Sequence, residues 1–87
     1  MKTIWKYEIE FEPTTLRLPI DAEFRCAAVQ GETVMLWFEL ESDNETIDRT
    51  FRIFGTGWEI PQVYLGRPMD YLATVHMPPF VWHIFEE

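Results

Sequence analysis

The sequence predicts an all-β fold: a small antiparallel meander of six to seven strands with little or no helix, closing as a barrel or folding over as a two-sheet sandwich. Three observations carry that expectation. Apolar residues recur at every second position through most of the chain, the rhythm of a strand with one buried face. Clusters of turn-forming Gly, Pro, Asp and Asn separate these runs. No stretch carries a convincing helical stripe, and the one place where a short turn of helix fits is residues 62–66.

The first strand is expected over residues 4–11, with Trp5, Tyr7, Ile9 and Phe11 on one face and Lys6, Glu8 and Glu10 on the other. Pro13 ends it. A short strand over 14–18 puts Leu16 and Leu18 on one side until Pro19 stops it. Residues 24–29 and 33–41 are two further strands joined by Gln30-Gly31-Glu32, a tight hairpin. The second of these carries Val34, Leu36, Phe38 and Leu40 on one face and Met35 and Trp37 on the other, so it reads as a central strand, with Trp5 and Trp37 in the core. After the polar turn 42–46, a strand over 47–54 alternates Ile47, Arg49, Phe51 and Ile53 against Asp48, Thr50, Arg52 and Phe54. Residues 58–69 are irregular. A last pair of strands, 71–77 and 80–85, flanks Pro78-Pro79, with Trp82 sharing a face with Phe80 and Ile84.

Length and composition bound the rest. The 87 residues make one domain, 1–87, with no internal repeat or linker. A chain this short buries only about 60% of its unfolded surface. Its 47% apolar content, rich in large aromatic rings, offsets that limit, and self-association is a further route to closing apolar surface. The formal charge of −8 argues against direct binding to a nucleic-acid backbone and suits a soluble protein or one with a basic partner. Cys26 is the only cysteine, which excludes an intrachain disulfide and fits a reduced, intracellular setting; its apolar neighbours point to a buried structural thiol. No apolar run approaches the ~18 residues of a membrane span, and the N-terminus does not read as a signal peptide.

Gly55-Thr56-Gly57 is the sharpest local motif. Two glycines around a hydroxyl can turn backbone N–H groups toward an anion, with Arg52 as charge partner and Trp58 as a stacking surface; the simpler reading is a turn that needs positive φ. Arg49 belongs to the opposite face of the same strand. Trp58 is the tryptophan expected to be exposed, as an interface anchor or a plug at one end of the fold. His76 and His83 are expected as cross-strand neighbours, too few for a metal site and with no Ser or Cys nucleophile beside them. Glu39, Glu41, Asp43, Glu45 and Asp48 surround an expected hairpin tip. Such carboxylates can imitate phosphate spacing toward a basic protein site, or can simply keep an exposed ribbon solvated.

Three segments together carry a resemblance: Lys2-Thr3-Ile4-Trp5-Lys6-Tyr7, Arg49 through Gly57, and Val81-Trp82-His83-Ile84-Phe85-Glu86-Glu87. Across nearly its whole length the chain resembles a family of short proteins encoded by bacteriophages and prophages and characterised only as a domain of unknown function. The resemblance supplies no catalytic or binding residues. What it implies is a phage gene product acting in the host bacterial cytoplasm. The expectation that follows is a non-catalytic protein, with no cofactor or metal, that engages or inhibits a host protein. The alternatives are a small-ligand protein, perhaps oligomeric, that sequesters a nucleotide-like anion through Arg52, Gly55, Thr56, Gly57 and Trp58, and an accessory protein of the virion.

Overall fold

The computed structural model describes residues 1–61 and 66–87. The helical turn expected over 62–66 therefore falls almost wholly outside the described residues; Gly66 itself sits in a turn at φ 85°. Seven strands form: β1 (Lys2–Ile9), β2 (Thr14–Pro19), β3 (Glu23–Gln30), β4 (Thr33–Glu41), β5 (Thr46–Gly55), β6 (Asp70–Met77) and β7 (Phe80–Glu86). They make two antiparallel sheets, β1-β4-β3 and β2-β5-β7-β6. The all-β expectation holds, in its sandwich form, because the sheets remain open rather than closing as a barrel.

The connectivity departs from a meander. Only β3–β4 and β6–β7 pair as chain neighbours; β4 also pairs with β1, and β5 pairs with β2 and β7. The chain passes from one sheet to the other after β1, after β2 and after β4. Residues 10–13, the Pro19–Ala22 turn and the 42–45 turn make these passages. The two inner faces meet in a core of Leu18, Leu36, Leu40, Phe38, Phe51 and Ile84, with Phe38 and Phe51 edge to face across the sheets at 5.7 Å.

β4 is the centre of its sheet, as its two apolar faces predicted. The second face is not core, however. Val34, Leu36, Phe38 and Leu40 turn inward and are buried, so Met35 and Trp37 turn outward, where no further layer covers them. Trp5 is also misjudged as core: it faces Phe38 but lies on the edge strand β1 and remains 43% exposed. Phe11 lies beyond the end of β1 and is exposed rather than part of a buried strand face.

Cys26 is exposed, not buried. The cause is a bulge between Phe24 and Cys26. An unbroken alternation from Phe24 would send Cys26 and Ala28 inward. The extra residue reverses the phase, so that Phe24, Ala27 and Val29 pack on the core and Cys26 stands opposite Trp37 on the outer face. A second bulge, between Tyr71 and Ala73 in β6, lets Tyr71 stand on the outer face while Val75 is buried.

Candidate functional site

The strands align so that the molecule has two distinct ends. One end holds the start of β1, β3 and β5 and the finish of β2, β4 and β7; the other holds the opposite termini of those strands, with the turns at 10–13, 31–32, 56–58 and 78–79. The Gly-Thr-Gly motif belongs to the second end. There β5 finishes in a tight turn in which the Trp58 N–H donates to the Gly55 carbonyl at 3.1 Å. Gly57, its third residue, has φ 88°, the positive value that a type II turn demands. Gly55 serves a different need. A Cβ placed there would lie 2.7 Å from the Trp58 ring, so the missing side chain admits the indole.

Trp58 thus folds back over the end of the sandwich. Its ring meets Trp82 edge to face at 5.7 Å; Trp82 in turn stacks on Phe80 at 5.3 Å and receives the edge of Phe11 at 4.8 Å. Trp82 is the half-buried hub, and Trp58, Phe80 and Phe11 are 56%, 54% and 46% exposed. A cleft of about 350 Å³ opens among Gly55, Thr56, Trp58, Phe80 and Trp82. The Trp82 indole N–H is buried here and meets no acceptor among the described residues.

Of the residues expected to form a ligand site, Gly55, Thr56 and Trp58 line this cleft and Gly57 shapes its turn, but Arg52 is not brought to it. Arg52 lies about 13 Å down the strand from Thr56. It rests over the Phe54 ring at 5.3 Å and faces Glu87 at 3.7 Å. Arg49, on the opposite face as expected, is a structural cation. Its Nε and Nη2 donate to the two oxygens of Glu86 at 2.6 and 2.8 Å, and Nη1 donates to the Ala22 carbonyl at 2.7 Å. Its guanidinium also lies 5.4 Å from the Phe38 ring centre. The paired Glu86 carboxylate raises the Arg49 pKa still further above its ordinary value.

The acidic series does not form one hairpin tip. Glu39 and Glu41 end β4 in one sheet and Asp48 begins β5 in the other, so the segment between them is a crossing and not a hairpin. Four of the five carboxylates also have countercharges. Glu39 meets Arg25 at 2.7 Å and Lys2 at 3.4 Å, Asp48 meets Arg17 at 3.2 Å, and Glu41 and Asp43 bond the terminal ammonium of Met1. The Arg25 hydrogen bond, then that of Lys2, holds the Glu39 carboxyl below its usual range.

A feature the sequence did not reveal is a chain of hydrogen bonds on the outer face of the four-stranded sheet. His83 Nε2 shares a proton with the Thr56 hydroxyl at 2.7 Å, and its Nδ1 bonds the Thr74 hydroxyl at 2.9 Å, which bonds Tyr71 Oη at 2.7 Å. Thr74 is in register with His83, whereas His76 is opposite Val81; the two histidines are diagonal neighbours and not a facing pair. Thr56 supplies a hydroxyl beside a ring nitrogen, at a histidine beside which the sequence offers no Ser or Cys. A hydroxyl stands where a hydrolytic triad would place a carboxylate, so the ring gains orientation but no charge partner for its protonated form. Among the described residues no group of three or more His, Cys, Asp or Glu side chains is arranged to hold a metal ion.

These features define an all-β sandwich with an aromatic, partly exposed end. Residues 1–87 match the family described as "Domain of unknown function (DUF7352)", and the chain belongs to that family. No curated protein and no solved structure matches the chain.

Proposed function

We propose that the protein is a non-catalytic binding module that engages another protein. The observation that carries this reading is the cluster of Phe11, Trp58, Phe80 and Trp82 at one end of the sandwich, three of its four rings about half exposed. Exposed aromatic groups on a rigid scaffold are the usual anchors of protein interfaces. The resemblance to phage-encoded proteins makes a host bacterial protein in the cytoplasm the expected partner, with inhibition as one consequence of engagement. Sequestering a nucleotide-like anion has less support, because Arg52 is committed elsewhere and the cleft at Thr56 and Trp58 is mostly apolar.

Affinity capture from bacterial lysate, with the full chain as bait, should enrich one dominant protein that re-forms the complex when purified. Thr74→Val, which cuts the Thr74–His83 hydrogen bond away from the cleft, should retain that partner. The reading fails if nothing is enriched over a charge-matched control. It fails equally if the purified chain turns over a substrate and Thr56→Val abolishes the turnover.

A further inference from the structure

Charge is unevenly placed on this molecule. Five basic side chains, Lys2, Arg17, Arg25, Arg49 and Arg52, form ion pairs with acids. Around the aromatic end acidic side chains gather without such partners, with Lys6, bonded to Gln30, the nearest basic side chain. Glu8, Glu10, Glu12 and Glu32 border the cleft beside Phe11, and Glu32 also borders the cleft that holds Phe80. None of these four carboxylates forms an ion pair among the described residues. The result is an apolar, aromatic centre with an acidic rim.

We infer that this end docks a basic segment of a partner protein, one carrying Lys or Arg side chains around an apolar anchor. The inference rests on the protein-binding reading and assigns its surface and the partner's chemistry. The apolar anchor fills the cleft between Trp58 and Phe80, while cationic side chains lie over the exposed ring faces and reach the carboxylates of the rim. Both attractions act on the same residues, because an Arg stacked on Trp58 or Phe80 stays within the field of the acidic border.

The charge also decides among other occupants. A nucleic acid would bring phosphates against unpaired carboxylates. An anionic membrane surface would be repelled in the same way. A second copy docking by this face would set Glu10, Glu12 and Glu32 against their own equivalents. A basic protein segment meets none of these three obstacles. The acidic series at 39–48, expected to play this part, is less suited to it, since four of its five carboxylates already have cations beside them.

The probe is a random-peptide display library panned on the full chain, with individual hits then measured by fluorescence anisotropy. Enriched peptides should combine several Lys or Arg with an aromatic or aliphatic residue, and their binding should weaken as salt rises. Trp58→Ala should weaken binding by roughly thirty-fold or more, the loss that marks an interface hot spot. Glu10→Lys combined with Glu32→Lys should weaken it by roughly ten-fold; both positions are exposed, so this variant keeps the test decisive even if Trp58→Ala fails to fold. An absence of enrichment, neutral or acidic hits, or basic hits that bind the charge-reversed variant as tightly as wild type would overturn the assignment. The charge-reversed variant used as bait in lysate separates the two proposals. If it retains the wild-type partner undiminished, this surface is wrong and the protein-binding reading survives. If neither bait nor library yields a partner, both are wrong.

Discussion

The two ends of the sandwich are built from the same strands and closed in opposite ways. At one end the Arg49 guanidinium is held by both oxygens of Glu86 and by the Ala22 carbonyl, between the rings of Phe38 and Phe51. The pair ties the crossing between β2 and β3 to the last strand, and its two side chains are only 19% and 15% exposed. At the other end, closure depends on aromatic rings that leave about half of their surface in water, and the nearby carboxylates Glu10, Glu12 and Glu32 are without ion partners among the described residues. Charges that are satisfied internally hold a fold together. Rings and charges left unsatisfied in the folded chain are available to something else. The difference between the ends therefore separates the part of the molecule that holds it together from the part to which the proposed binding role is assigned.

The sharpest way to break that comparison is to cut one carboxylate at each end. Glu86→Gln should destabilise the protein by about 3 kcal/mol, because it strands the mostly buried Arg49 charge. Glu32→Gln should stay within ~0.5 kcal/mol of wild type, as exposed surface changes do. Urea denaturation measures both. A double variant, Arg49→Met with Glu86→Leu, should recover much of the loss, since apolar groups of similar volume can replace a buried ion pair. Equal costs at Glu86 and Glu32 would remove the distinction between the ends.

A smaller effect is expected at the aromatic end from Gly55→Ala. The added methyl would meet the Trp58 ring at 2.7 Å, and overpacking of this kind costs about 1–3 kcal/mol where neighbours are fixed. Trp58 is more than half exposed and can swing away, so the cost should fall near 1 kcal/mol. The change should be coupled to Trp58 and additive with distant substitutions: in a Trp58→Ala background, Gly55→Ala should become close to neutral. Denaturation of the four proteins closes this cycle. A cost that persists without Trp58 would mean that the backbone of Gly55, and not its contact with the indole, needs glycine.

The strands were legible because alternation survives in the sequence even where propensity is weak. The boundaries at 14, 33 and 77 agree with the observed elements, and the turn at 78–79 joins β6 to β7 as read. Pairing was not legible, since alternation tells which residues share a face and not which strands share a ladder. The bulge at Phe24/Cys26 was equally hidden: one inserted residue reverses the inward set of β3, and nothing in Phe24-Arg25-Cys26-Ala27-Ala28-Val29 marks it. Of the candidate site, Gly55, Gly57 and Trp58 could be read because a turn needs those glycines and an isolated Trp in a loop stands out. The partnership of Phe11 with Trp82 could not, since it depends on a crossing between sheets. The ion pairs that hold Arg52, Glu39, Glu41, Asp43 and Asp48 were not legible either, because nearness in sequence gives no account of partners on other strands.

The ion-paired end makes one further and smaller prediction, in pH. The Arg25 hydrogen bond and the Lys2 contact lower the Glu39 pKa from its ordinary 4.5. A carboxyl whose folded-state pKa is depressed contributes stability above its unfolded pKa, and that contribution disappears as pH falls through the folded value. Wild type should therefore melt slightly higher than Glu39→Gln at neutral pH, with the two melting temperatures converging as the pH drops below 4.5. The gap should also shrink in high salt, because Arg25 and Lys2 reach Glu39 from the solvent side of the sheet. Glu10→Gln, which removes a charge without an ion partner among the described residues, should leave the neutral melting temperature unchanged or raise it slightly by relieving repulsion within the acidic rim. If Glu10→Gln lowers the neutral melting temperature as much as Glu39→Gln does, the internal satisfaction of charge at one end has no energetic counterpart, and the contrast between the ends reduces to their aromatic content.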